Sequence, residues 1–255
     1  MTKTNLFILF AIVSQLLSGC AIFSKEQEPT RTVEEYFNRG HNALNDSSWD
    51  IAVKEFEKLR SVYPYGTWSE QASLELAYVY YRNNEPLSAV RECEEFIRMY
   101  PHHARLPYAL YLKGIAHEST TRSFLDNYIS DPSRRDSEPL RQSYQDYLNL
   151  IQRFPNSDYA KDAKLRLVRL RNGLARHEMQ VAEFYLDRQA WLAAAKRAQY
   201  VLENYPQTPS SQRALQIMAQ SYDALGLKQS SDEVNNVMKL NNVMKLNNVT
   251  TLPTK

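Results

Sequence analysis

The residue with the clearest chemistry is Cys20. It closes the stretch Leu17-Ser18-Gly19-Cys20, directly after a mainly apolar run from Leu6 to Leu17 that is headed by Lys3. That run is too short to cross a hydrocarbon core of ~30 Å, which needs about 20 residues, and it reads as the h-region of a secretory signal. Small residues ahead of a cysteine fit a signal peptidase. The thiol is the nucleophile that takes a diacylglycerol. The expected product is a chain cut before Cys20, with residues 1–19 removed and residues 20–32 forming a lipidated N-terminus and polar tether. Each buried methylene contributes about 0.8 kcal/mol and a single acyl chain holds only marginally, so a stable anchor takes more than one chain.

No other residue pattern points to a reaction. Cys93 is then left without a disulfide partner and reads as a small buried thiol. His102-His103 would suggest a metal. Neighbouring histidines in a turn do not easily face one ion, however, and no cysteine or carboxylate cluster accompanies them. Glu34-Glu35 and Glu94-Glu95 read as charges on helix faces. There is no glycine-rich phosphate loop and no Gly-x-Ser-x-Gly nucleophile motif. The expectation is a non-enzymatic protein without metal or cofactor. With a net charge of +2 and interleaved signs, nucleic acid is not an expected partner.

If these residues do no chemistry, the elements that carry them must supply the function. Glycine is scarce, at six in 255 residues, alanine and leucine are plentiful, and long β-branched runs are missing, which indicates an all-α fold. An aromatic-proline pair recurs at Tyr63-Pro64, Tyr100-Pro101, Phe154-Pro155 and Tyr205-Pro206. Twelve residues before each proline stand Ala52, Ala89, Ser143 and Ala194. Five before stand Leu59, Phe96, Leu150 and Val201, and eight before stand Phe56, Cys93, Tyr147 and Ala198. Gly40, Ala77 and Ala182 lie twenty-four before their prolines. The pattern resembles the tetratricopeptide repeat, a pair of helices in which small residues allow close approach, bulky ones fill the groove to the next repeat, and proline ends the second helix.

The reading is a superhelical solenoid of about five helix pairs over residues 33–235. The longer spacing from Pro101 to Pro155 places an insertion near 120–140, after which a helix starts near Pro139. Apolar residues at steps of three, four or seven predict one long helix over about 158–186. Asn235 to Leu240 is repeated verbatim as Asn241 to Leu246, and residues 236–255 read as a frayed, low-complexity tail.

A signal ending in a lipidated cysteine, five repeats, an insertion in the third and a long helix before the fourth occur together in few families. The stretches Tyr63-Pro64-Tyr65-Gly66, Phe96-Ile97-Arg98, Pro155-Asn156-Ser157-x-Tyr159-Ala160-x-Asp162-Ala163 and Ala175-x-x-Glu178-x-x-Val181-Ala182-Glu183-Phe184-Tyr185 resemble the BamD (ComL) family of β-barrel assembly lipoproteins. Ala21 after the cysteine, where sorted lipoproteins kept at the inner membrane carry Asp, implies the periplasmic face of the outer membrane. The resemblance also implies partners: the barrel-forming subunit BamA, accessory lipoproteins of the same complex, and unfolded outer-membrane β-barrel proteins. Arg197, beside Lys196, matches a family arginine that pairs with the barrel subunit, although it could equally be a solvated helix charge. In the tetratricopeptide register the groove positions are Phe37, His41 and Leu44, then Leu74, Tyr78, Tyr81 and Arg82, then Tyr108 and Tyr111. Aromatic side chains around an arginine would suit an aromatic peptide ending in a carboxylate. The same side chains could instead pack between repeats. Two other functions stay open: a tetratricopeptide lipoprotein of pilus assembly or cell-wall coordination, and a cell-wall enzyme with no catalytic constellation in view.

Overall fold

The computed structural model describes residues 31–120 and 137–250, with side chains to residue 241. The signal, Cys20 and most of the tether lie outside the described residues, as does the insertion between 121 and 136. Ten helices stand in the described residues: α1 Val33–Asn45, α2 Trp49–Val62, α3 Thr67–Arg82, α4 Pro86–Met99, α5 Leu106–Thr120, α6 Glu138–Arg153, α7 Ala160–Asp187, α8 Trp191–Asn204, α9 Ser211–Ala224 and α10 Lys228–Thr250. Each packs against its neighbours in sequence, and odd-numbered helices also touch the next odd-numbered one, α1 on α3, α3 on α5 and α7 on α9. This is a tetratricopeptide solenoid of five antiparallel pairs, with the odd helices lining the inside.

Local chemistry sets the ends of the helices. At α1, Thr32 Oγ1 accepts from Glu35 N at 3.2 Å while Glu35 Oε2 accepts from Thr32 N at 2.9 Å, a reciprocal cap. The aromatic residues of the four aromatic-proline pairs cap α2, α4, α6 and α8. Their N–H groups donate to Leu59, Phe96, Leu150 and Val201 at 2.8–2.9 Å, and the proline then stops the helix. Inside four of the pairs the turn passes through one left-handed residue: Ser47 (φ 58°), Asn84 (φ 60°), Gln189 (φ 58°) and Gly226 (φ 74°). The following N–H closes back on the helix, as in Ser48 N to Ala43 O at 2.8 Å and Ala190 N to Tyr185 O at 3.0 Å.

The small positions do more than allow close approach. Phe56 shares a core with Leu76 and Val79 of the next pair, and Tyr147 with Ala163 and Leu170, and each ring also fills space within its own pair. A Cβ on Gly40 would lie 2.8 Å from the Phe56 ring, and one on Gly114 would lie 2.6 Å from the Tyr147 ring. The aromatic occupies the volume that glycine vacates within its own pair. Where the inner helix has alanine, the outer helix has a small partner: Ala77 with Cys93, and Ala182 with Ala198, all fully buried.

The long helix α7 falls where it was expected, and α6 begins at Glu138 with Pro139 in its first turn. The frayed tail from residue 236 is a correction, because α10 runs on to Thr250. Ser231 Oγ bonds Ala219 O at 3.4 Å, as Ser143 Oγ bonds Gly114 O at 2.8 Å, so α10 is the outer helix of the fifth pair. Twelve residues after Ser143 comes Pro155, whereas twelve after Ser231 comes Val243. The terminator is missing, and Met, Lys and Leu favour continuation.

Candidate protein-binding groove and interface charges

The groove residues expected from sequence divide into three groups. Phe37 and Leu74 belong to the core, a correction to their expected place on the surface. Phe37 is 7% exposed and packs 4.9 Å from the Trp68 ring and 5.8 Å from Phe56; Leu74 is 1% exposed, with Phe96 and Ala109. Leu44 is half-buried in the same cluster as Phe37. His41 is exposed and stacks its ring on Phe37 at 6.0 Å.

The second group is a cation on aromatics. The Arg82 guanidinium lies 4.8 Å above the Trp49 ring, and its Nη1 donates to Tyr78 Oη at 2.7 Å. Arg82 is exposed but already occupied, bridging α3 to the outer helix of the first pair. Tyr78 and Tyr81 are half-buried and meet Tyr108 over Ala77, Cys93 and Leu112. Burial pushes the Cys93 thiol above its ordinary range, which makes it a packing group.

The third group is an aromatic ladder across α5 and α7. The Tyr159 ring lies 5.6 Å from Tyr108 and 5.2 Å from Tyr111, which in turn lies 6.1 Å from Tyr147. Tyr111 Oη donates to Asp162, and Arg166 grips both Asp162 (Nε, 2.5 Å) and Glu118 (Nη1, 2.9 Å). Burial and the bond to Asp162 raise the Tyr111 phenol. The same bond, with Arg166, lowers the Asp162 carboxyl. Burial also raises the Tyr108 phenol, so Tyr108 and Tyr111 act as neutral hydroxyls. Beside the ladder opens a cleft of about 590 Å³ lined by Glu75, Arg105, Tyr108, Asn156, Asp158 and Tyr159. Sequence reading missed Tyr159 and Arg105. Tyr159 lies in the loop position just before α7, where the repeat register assigns no groove residue.

At the other end, Arg197 Nη1 meets Glu178 Oε2 at 2.9 Å. The carboxylate is buried, the Arg197 side chain is 46% exposed, and Arg141 stands 3.8 Å from the second oxygen. Lys196 is exposed next to it. Arg197 is nine residues before Pro206, and the same register holds Glu55, Glu92 and Asp146 in the first three pairs. Those acids are buried and paired with Arg39 (3.2 Å), with Arg60, and with His117 (2.6 Å). The fourth pair reverses the polarity. His103, one of the histidine pair, faces Glu70 at 3.5 Å, and His102 is exposed. Among the described residues, no cluster of three or more His, Cys, Asp or Glu is placed to hold a metal, and no helix is long and apolar enough to cross a membrane.

The fold and the groove define a tetratricopeptide scaffold, a class that works through its surface. The chain belongs to the family described as YfiO, outer membrane lipoprotein, whose model matches residues 29–237. It is 36% identical over 226 residues to the outer membrane protein assembly factor BamD of Vibrio cholerae serotype O1, covering 88% of this chain and 93% of the relative. It is 37% identical over 229 residues to the protein of that name in Neisseria meningitidis serogroup A, covering 88% and 86%. A solved complex of the TPR2AB domain of yeast Sti1 aligns at 12% identity with a TM-score of 0.41, over 80% of this chain and 75% of that one.

Proposed function

We propose that this chain is a non-enzymatic lipoprotein subunit of the outer-membrane β-barrel assembly complex, held at the periplasmic face of the outer membrane through Cys20. In this reading it scaffolds the barrel-forming subunit BamA, with accessory lipoproteins, and receives unfolded β-barrel proteins. The observation that carries the reading is membership of the outer membrane lipoprotein family over nearly the whole solenoid, with relatives named as assembly factors. The inner face supports it, because a tyrosine ladder beside an open cleft is a surface on which an extended aromatic peptide can stack. Docking of BamA on the C-terminal pairs would use the exposed part of Arg197 and Lys196.

The test is a mild-detergent pull-down of the lipidated protein from envelopes. The expected result is recovery of the barrel-forming subunit, and its absence would overturn the reading. Cys20→Ala is expected to remove the acyl groups and shift the protein off the outer membrane. An unmodified Cys20 in mature wild-type protein, seen by mass spectrometry, would sink the anchoring part alone.

A further inference from the structure

Each outer helix before α10 is covered by the inner helix of the following pair. Two registers serve that contact, eleven and four residues before the proline: Val90 and Ile97 in the second pair, Tyr144 and Ile151 in the third, Ala195 and Leu202 in the fourth. Ala195 is buried, and the other five share cores with residues of the next inner helix. In α10, aligned on Ser231, the same two registers hold Asp232 and Lys239. No helix follows α10 among the described residues, and between α9 and α10 lies an open groove of about 1110 Å³. Asp232, Asn235, Asn236 and Lys239, at steps of three and four, form its outer wall, and Gln212 and Gln216, one turn apart, stand on α9. Leu215 and Met238, which also line it, belong to the core of the last two pairs.

Gln212, Gln216 and Asn236 are exposed and, like Asp232 and Lys239, have no side-chain hydrogen bond or ion pair among the described residues. A polar end cap keeps a solenoid soluble, but a cap needs no groove. The chemistry of the walls selects the occupant. A carboxamide offers both a donor and an acceptor. A docked helix has little use for them, because its backbone groups are already paired, whereas an extended chain presents free N–H and C=O groups along both edges. The two opposite charges stand seven helical residues apart, about 10.5 Å along α10. We infer that this groove binds an extended peptide segment of a partner protein, its backbone gripped by Gln212, Gln216 and Asn236, a basic side chain on Asp232 and an acidic one on Lys239. Alternate residues of an extended chain share a face at about 3.3 Å per residue, so the two charges of the segment stand four residues apart, and their flexible stems take up the excess of about 3 Å. The site rests on the last pair alone and stands whether or not the assembly reading holds.

The probe is a fluorescein-labelled peptide, Thr-Arg-Val-Thr-Val-Glu-Thr, whose β-branched residues favour the extended form. It is titrated by fluorescence anisotropy against the full-length protein in detergent. Gln216→Ala combined with Asn236→Ala is expected to weaken binding roughly tenfold, and Asp232→Lys by a similar factor, both with unchanged circular dichroism because the positions are exposed. The same peptide with N-methyl groups on both valines keeps its charges but loses two backbone donors, and is expected to bind at least as weakly as the double variant does. Equal binding of the N-methylated and plain peptides would mean charge attraction alone and overturn the inference. So would binding that ignores the loss of the two amides. Tighter binding of a helix-forming peptide, with alanine in place of valine and threonine and the same two charges, would give the groove to a helix and overturn it too. No binding of the plain peptide to wild type at millimolar concentration would leave the groove as a polar end cap.

Discussion

At the scale of single residues, one position changes its meaning once the chain is folded. Arg197 is a docking residue by family resemblance, yet in the structure one prong is committed to buried Glu178. The two roles are compatible, because nearly half of the side chain faces solvent, and a neutralised pair separates them. Arg197→Ala is expected to lose about 1–3 kcal/mol, since buried Glu178 is then left with Arg141 at 3.8 Å. The double variant Glu178→Gln with Arg197→Gln, which leaves no buried charge unpaired, is expected to recover thermal stability but not co-purification with the barrel-forming subunit. Recovery of both would confine Arg197 to the interior. The glycines make a second residue-scale case. Gly40→Ala and Gly114→Ala each drive a methyl group into an aromatic ring at 2.6–2.8 Å, and overpacking of this kind costs about 1–3 kcal/mol. Adding Phe56→Leu to Gly40→Ala is expected to return part of the loss in a thermal melt. If Gly40→Ala melts like wild type, the ring yields freely and the size matching in the pair is incidental.

At the scale of elements, helix boundaries were largely legible, because aromatic-proline pairs are strong local signals and act through the chain's own chemistry. Tyr63-Pro64 and its three counterparts cap their helices in one geometry. The inner turns were not legible. Ser47 and Gln189 adopt the left-handed conformation that glycine favours, so residue type gives no warning, and the packing of the helix pair imposes the turn. Gln189→Gly is expected to relieve this strain by up to about 1 kcal/mol and to raise Tm by about 2–4 °C. Asn84→Gly should gain less, because asparagine tolerates the conformation. An equal or larger gain at Asn84 would contradict the strain account. The exposed or buried fate of groove positions was also hard to read. Phe37 and Leu74 sit at register positions that face inward along the solenoid, but the next inner helix covers them before a ligand can. The helical tail was missed for a different reason: a hexapeptide repeat looks like low complexity, while the decisive fact is the missing proline at Val243.

At the scale of the whole molecule, the inner surface is uneven, and that decides where a peptide can be read. Arg82 was expected to meet a terminal carboxylate. It already lies on Trp49 and donates to Tyr78, so a ligand would have to displace both contacts. Arg105 lies at the open cleft beside the Tyr108–Tyr159–Tyr111 ladder, exposed and near enough to pair with an anion held there. Glu75 and Asp158 on the same cleft disfavour a bare anion, which selects for a ligand whose aromatic side chains stack first. Burying two rings contributes about 3–6 kcal/mol before ordering costs, and what remains is a weak, reversible grip suited to a substrate that must be passed on. The expected outcome is that Tyr159→Ala and Arg105→Ala each weaken binding of a barrel C-terminal peptide more than Arg82→Ala does. Titration at two salt concentrations should show a shallower salt dependence for Arg105→Ala, because its charge has been removed from the contact. Loss of binding in Arg82→Ala, with Arg105→Ala unchanged and both variants folded by circular dichroism, would move the reader back to the second pair of helices and leave the cleft as a seam between repeats.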